Sequence, residues 1–238
     1  MPSLSFRFRR SLALRGRWRT LRLALLWCRF RLLHPRRSPP PGFDLEFSFE
    51  TDRDGDTAGA RKSAVAGVEY GPVDLEHFAA LMRQVDARSG EFVFCDFGCG
   101  RGRALMLASA YPFRQIRGVD YDRDLVLSAQ RHLERWARRR WPRQLCRDLA
   151  AEWADATTWA FPVAPSVFYF NEPLFPPALE IVAARIRASL AAAPRPAYVL
   201  YLGDWGQAVW EGAGDFETVY AFEGRHVYRW RPGLSTRH

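Results

Sequence analysis

Between residues 75 and 230 the apolar positions follow two periods in turn. Short unbroken apolar runs end near a polar residue, and most are followed by stretches whose apolar residues fall three and four apart. The unbroken runs predict strands over 91–97, 166–170 and 197–202, an interrupted pattern around Ile116 and Val119 predicts one over 115–120, and a weaker one is predicted over 149–154. The wider spacing predicts a helix carrying Leu75, Phe78, Ala79, Leu81, Met82 and Val85, and another over 103–111, stopped near Pro112. Two more are predicted over 122–139, with an apolar face of Leu125, Ala129, His132, Leu133 and Trp136, and over 176–190. Asp122 suits the N-cap of the third helix, and the basic run Arg138 to Arg140 suits its C-terminus. Two last β-like stretches, Phe216–Phe222 and His226–Trp230, are separated by Glu223 and Gly224 and predict a closing antiparallel hairpin. Strands alternating with helices mean an α/β fold: a doubly wound, mostly parallel sheet with helices on both faces.

The segment 91–103, EFVFCDFGCGRGR, carries the densest signal. An apolar run ends in Asp96, Gly98, Gly100 and Gly102 follow at alternate positions, and a helical pattern begins just beyond. A buried strand, a turn open only to small residues and a helix start make a nucleotide-type binding corner. The glycines supply positive φ and let backbone approach a ligand without a Cβ in the way. A dinucleotide fingerprint needs a third glycine at 103, where the chain has Arg103, and a phosphate-binding P-loop needs a Gly-Lys-Ser/Thr that does not follow. In such sheets ligands sit outside the carboxyl ends of the strands. A polar residue stands at each of these ends: Asp96, Asp120, Asp155 and Asn171. Asp120 follows Gly98 by 22 residues, where a carboxylate can accept both hydroxyl protons of a ribose.

Charge changes the picture at one end of the chain only. The formal net charge is +9, yet residues 1–43 hold eleven Arg and no Asp or Glu. That leaves 24 basic against 26 acidic side chains in residues 44–238. The chain therefore divides into an N-terminal helical extension with a Pro-rich linker, 1–43, and a near-neutral domain, 44–238, whose length and 48% hydrophobic content suit one large core. Leu14, Trp18, Leu21, Leu25, Cys28 and Leu32 lie at helical spacing with Arg15, Arg19, Arg22 and Arg29 beside them, a basic amphipathic pattern. Its apolar run Leu23 to Cys28 is too short to span a bilayer. Three readings stay open for residues 1–40: packing on the chain's own domain, lying on an anionic membrane surface, or binding nucleic-acid phosphates or acting as a targeting sequence. The expected location is cytoplasmic, at a membrane surface if the basic helix binds one. Four Cys at 28, 95, 99 and 146 form no CxxC pair and no His cluster accompanies them, so reduced buried thiols are expected and a metal is not. The acids Asp52, Asp54 and Asp56 are no EF-hand loop, because Thr57 and Ser63 occupy its Gly and Glu positions.

The run D-F-G-C-G-R-G resembles the first motif of class I S-adenosylmethionine-dependent methyltransferases. With Tyr70-x-Pro72 upstream, then G-V-D, D-A and F-N-x-P, the order also resembles uncharacterised bacterial members of that superfamily over about residues 65–235. The resemblance implies a Rossmann-like seven-stranded sheet with a C-terminal antiparallel hairpin, S-adenosylmethionine as cofactor, and methyl transfer by in-line displacement to an acceptor the sequence does not name. It assigns Gly98, Gly100 and Gly102 to the turn that cradles the cofactor, Asp96 to the cofactor's amino-acid end, Asp120 to the ribose, and Asp155 and Ala156 to the adenine. Tyr70 sits where related enzymes place an aromatic loop over the methionine end. Phe170-Asn-Glu-Pro-Leu-Phe175 is the fourth-motif region, so Asn171 and Glu172 are the candidate catalytic residues. Glu172 and Leu174 depart from the Asn-Pro-Pro-Tyr/Phe pattern of amino-group methyltransferases. The alternative reading is a protein that binds S-adenosylmethionine or another nucleoside without turnover, or a membrane- or RNA-associated scaffold on the same fold. An NAD oxidoreductase conflicts with Arg103, and an aminopropyltransferase needs more acids near the fourth strand than Glu172. The oligomeric state is left open.

Overall fold

The structure is a computed structural model describing residues 73, 75–86, 90–138, 144–172, 174, 176–203, 206–212 and 214–231. The readings of the Arg-rich segment, the linker, the 43/44 boundary and Tyr70 lie outside these residues. In chain order the elements are α1 (Leu75–Met82), β1 (Val93–Phe97), α2 (Arg103–Ala108), β2 (Gln115–Asp120), α3 (Arg123–Ala137) and β3 (Leu149–Trp153). They continue with β4 (Ser166–Asn171), α4 (Pro176–Ala192), β5 (Ala197–Leu202), α5 (Gln207–Glu211), β6 (Phe216–Phe222) and β7 (Arg225–Trp230).

One seven-stranded sheet has the order β3-β2-β1-β4-β5-β7-β6. Strands β1 to β5 pair in parallel, and β7 runs antiparallel to both β5 and β6. This is the Rossmann-like, mostly parallel sheet with a closing hairpin that the sequence predicts. The chain leaves β1 toward β2 and β3, then returns to place β4 on the other side of β1. That reversal opens a crevice at the carboxyl ends of β1 and β4, where sheets of this kind take ligands.

Strands β1 and β5 are buried along their whole length, as expected of parallel strands covered on both faces. Phe97 stacks on Phe170 with ring centroids 4.7 Å apart, and Trp159 meets Phe97 edge-on at 5.5 Å. Val182, Ala183 and Ile186 of α4 and Trp210 of α5 complete that cluster. Phe78 of α1 packs against Phe94 and Tyr169 through a separate set of ring contacts. Full burial of each phenyl ring stabilises the fold by about 1.5–3 kcal/mol.

Three details differ from the sequence reading. Helix α2 ends at Ala108, because the Ser109 carbonyl accepts the Leu145 and Cys146 N–H groups at 2.8 and 3.2 Å instead of a donor from a further helical turn. In α3, Val126 is buried and Leu125 only half-buried, a shift of one residue in the covered stripe. Helix α5 has no counterpart in the predictions, being a single short turn that periodicity cannot resolve. Among the described residues, no helix is long and apolar enough to cross a membrane.

Candidate functional site

Beyond Phe97 the backbone turns on three residues with positive φ, Gly98 (78°), Gly100 (51°) and Gly102 (81°). Side chains other than glycine rarely adopt that region. The turn is fastened to β2: the Gly98 and Cys99 N–H groups both donate to the Val119 carbonyl, at 2.8 and 3.0 Å. Gly102 is the N-cap of α2 and has no side chain to cap it. Arg103, at the position where a dinucleotide fold needs glycine, is the first residue of that helix and is buried. His132 of α3 reaches back to the turn, its Nδ1 lying 3.0 Å from the Arg101 carbonyl oxygen.

Asp120, at the carboxyl end of β2, is nearly buried beside this turn. Its Oδ2 accepts the Gly100 N–H at 2.9 Å and its Oδ1 accepts the Asp122 N–H at 2.9 Å. A carboxylate offers about four acceptor positions, so Asp120 keeps acceptor capacity beyond its backbone partners. Burial pushes the Asp120 carboxyl above its ordinary pKa, and the N–H groups of Asp122, Gly100 and Tyr121 pull it back in part. Asp122, not Asp120, caps α3, accepting from the Asp124 and Leu125 N–H groups.

Asp96 is 2% exposed. Burial raises its pKa well above the usual carboxylate range, and the nearby Asp120 adds to the effect. An acid with a raised folded-state pKa contributes stability that is fully present below its unfolded pKa and lost as pH rises through the folded value. Asp96→Asn removes that loss. Its melting temperature in the ligand-free protein is expected to exceed the wild type's by several degrees at pH 8. The two should converge as pH falls below the ordinary carboxylate range. Thermal denaturation across pH checks this, and a variant less stable than wild type at pH 8 contradicts it.

On the β3 side, the Asp155 Oδ1 accepts from both the backbone N–H and the hydroxyl of Thr157, at 2.8 and 2.7 Å. One oxygen of this carboxylate is thus committed to the local turn. Ala156 is buried, and its carbonyl accepts from Arg185 at 3.4 Å. Two aromatic residues here escaped the sequence reading. Tyr121, directly after Asp120, is 47% exposed, and Trp153, opposite Asp120 in the sheet, is 61% exposed. The Trp153 indole N–H donates to the Tyr121 carbonyl at 2.9 Å, and the Arg123 guanidinium lies 5.4 Å from its ring centroid. The signal was an aromatic residue on each side of the strand-end acids, in Asp120-Tyr121 and Trp153-Ala-Asp155.

Asn171 ends β4, and Glu172 follows in the left-handed region with φ 45°. For a side chain other than Gly, Asn or Asp this conformation costs on the order of 1 kcal/mol or more. The Glu172 N–H donates to the Leu202 carbonyl at 3.0 Å, tying the end of β4 to that of β5. Its side chain lies across Gly203, where a Cβ would come within 2.3 Å of the Glu172 Cγ. Gly203 in turn donates its N–H to the Gly224 carbonyl at 2.8 Å. The ends of β4 and β5 and the β6–β7 turn are therefore laced together at this rim, a role for Gly203 that the sequence alone did not suggest.

The structure thus brings Asp96, the three glycines and Asp120 into one turn, with Asn171 and Glu172 at the end of the neighbouring strand. Asp155 and Ala156 follow the end of β3, which pairs with β2. Among the described residues, no three His, Cys, Asp or Glu side chains group as metal ligands. Cys95, Cys99 and Cys146 are free and buried. Burial raises the pKa of all three, which keeps them as neutral thiols.

Comparison with known families finds no match, and no curated protein matches the chain. Among solved structures, an RNA methyltransferase from Salinibacter ruber in complex with S-adenosyl-L-homocysteine is 19% identical. The match covers 67% of this chain and 92% of that one, with a TM-score of 0.43. A magnesium protoporphyrin IX methyltransferase from Synechocystis PCC 6803 with bound SAM is 16% identical, covering 79% and 89%, with a TM-score of 0.43. The PH0226 protein from Pyrococcus horikoshii OT3 is 13% identical, covering 66% and 89%, with a TM-score of 0.48. Likenesses this distant carry no weight for substrate or mechanism, which rest on the chain's own geometry.

Proposed function

We propose that this chain is a class I S-adenosylmethionine-dependent methyltransferase. One observation carries the reading. The acid ending β2 grips the glycine turn through Gly100 and still has acceptor capacity to spare, at the crevice where the strand order reverses. That donor set fits a ribose diol beside a backbone cradle. Asp120 would hold the ribose, the turn at Gly98, Gly100 and Gly102 would admit the chain between sugar and amino acid, and Asp96 would face the ammonium. Tyr121 and the Asp155-Ala156 segment would flank the adenine, with Tyr70 over the methionine end.

The cofactor supplies an activated methyl group, so what remains for the protein is alignment. Asn171 and Glu172, fixed by the β4–β5 lacing, would set where the acceptor nucleophile stands. Glu172 is the residue there able to take a proton from a protonated nucleophile. The acceptor itself is left to experiment, since a fold does not name a substrate.

Titration calorimetry of the full chain with S-adenosylmethionine, S-adenosylhomocysteine and NADH tests the reading. Both adenosyl compounds are expected to bind and release heat at one site, and NADH to give none. Tight NADH binding without response to either sulfur compound would reverse the assignment.

A further inference from the structure

The hydroxyl of Tyr169 lies inside the protein with no hydrogen-bond partner among the described residues. The residue is 1% exposed, on β4, and stands beside Asp96 in the pairing of β4 with β1. Strand alternation puts Tyr169, Asp96 and Asn171 on the same face of the sheet. Its ring is held edge-on by Phe78 at 5.5 Å and tilted against Phe94 at 5.5 Å, so the hydroxyl cannot swing out to water. Buried hydroxyls are almost always bonded, and leaving one unbonded destabilises a fold. An orphan hydroxyl on the sheet face shared by the acid of the first motif and the strand-end asparagine is therefore a group open to a ligand atom.

The local charges say which part of a ligand that is. Asp96, paired with Tyr169 in the sheet, is an acid that a ligand ammonium beside it would hold ionised. The Arg103 guanidinium is buried at the start of α2, just beyond the glycine turn, and acts on the phenol in the opposite sense to Asp96. A zwitterion, with its ammonium toward Asp96 and its carboxylate toward Arg103, is complementary to that arrangement. The adenosine half of a nucleoside ligand is not.

We propose that Tyr169 is a positioning residue whose hydroxyl bonds the amino-acid end of the bound cofactor. This rests on the methyltransferase reading above. Tyr169 would then couple the grip on the methionine end to the placement of Asn171, two residues further along the same strand.

The test compares Tyr169→Phe with wild type against two probes, S-adenosylhomocysteine and 5′-methylthioadenosine, which lacks the amino-acid end. Loss of one hydrogen bond to a charged group should weaken S-adenosylhomocysteine about tenfold by calorimetry, with 5′-methylthioadenosine unchanged within about twofold. The ligand-free variant should also melt about 2–4 °C higher than wild type, because an unsatisfied buried group has been removed. A purely structural hydroxyl would move the two ligands together and lower the melting temperature. Equal loss for both probes, unchanged S-adenosylhomocysteine affinity, or a less stable ligand-free variant each overturns the proposal and leaves the methyltransferase reading standing. If wild type binds neither probe, that reading fails and this one falls with it.

Discussion

Asp120→Ala is expected to weaken S-adenosylhomocysteine binding by about a hundredfold or more. Hydrogen bonds to a charged group contribute about 1.5–3 kcal/mol each, and a ribose diol would make two with this carboxylate. Two such bonds amount to at least about 3 kcal/mol, and each 1.4 kcal/mol is a factor of ten. A second loss adds to the first. The Asp120 Oδ2 is what the Gly100 N–H bonds to, so truncation also releases the middle of the glycine turn. Asp120→Asn separates the two contributions. An amide keeps one carbonyl acceptor, but its NH2 cannot accept the backbone donor it faces, so an intermediate loss is expected. Helix α3 should survive in both variants, because Asp122 provides its cap. Calorimetry together with far-ultraviolet circular dichroism reads both effects. Wild-type affinity in a folded Asp120→Ala protein would remove the ribose assignment and the proposed function with it.

Gly118→Ala is expected to cost about 3 kcal/mol of stability and much of the ligand affinity. Gly118 lies in β2, opposite Asp96, and the space where its Cβ would stand is taken. A methyl there would meet the Cys99 Cβ at 2.6 Å and the Leu105 Cδ1 at 2.8 Å. Leu105 has torsional freedom to yield, but a Cβ moves only with its backbone. The Cys99 backbone is tied to the Val119 carbonyl at 3.0 Å, between two glycines of the turn. Overpacking a core by a methyl group costs about 1–3 kcal/mol, and this site is at the unyielding end of that range. For a domain of this size the melting temperature should fall by about 6–12 °C. Cys99→Gly in the same background removes the closer of the two obstacles and should restore part of the loss, the signature of a direct contact. A Gly118→Ala protein that melts with wild type and binds ligand as well would show that the turn has room that the geometry denies it.

Neither residue was equally legible before the fold was known. Asp120 stood out because it ends an apolar run at a fixed distance from the glycines, a local pattern any chain displays on its face. Gly118 read only as the first residue of G-V-D, with no packing role attached. Nothing in consecutive residues shows that Cys99 is what it must avoid. The same division runs through the site. Gly98, Gly100 and Gly102 were readable because positive φ is a demand of the backbone at each position. Glu172 also takes positive φ, against its side chain's preference, and the reason lies in Leu202 and Gly203 on another strand. The third-motif segment was located by its Asp-Ala pair, yet the commitment of one Asp155 oxygen to Thr157 emerged only with side chains in place. Tyr169 looked like one more aromatic in a buried strand until its pairing with β1 set it beside Asp96.

By itself the sequence determined the alternation of strands and helices, the glycine turn, the polar strand ends and the closing hairpin. Each follows from periodicity or turn chemistry among neighbours in the chain, where short-range sterics and the side-chain period decide. Only the tertiary structure decided that β4 returns to β1, that α5 forms, and which segments Trp153, Gly118, Gly203 and Tyr169 meet. Those outcomes depend on contacts between segments far apart in sequence, settled by how buried surfaces pack and which polar groups find partners, and no local pattern encodes them.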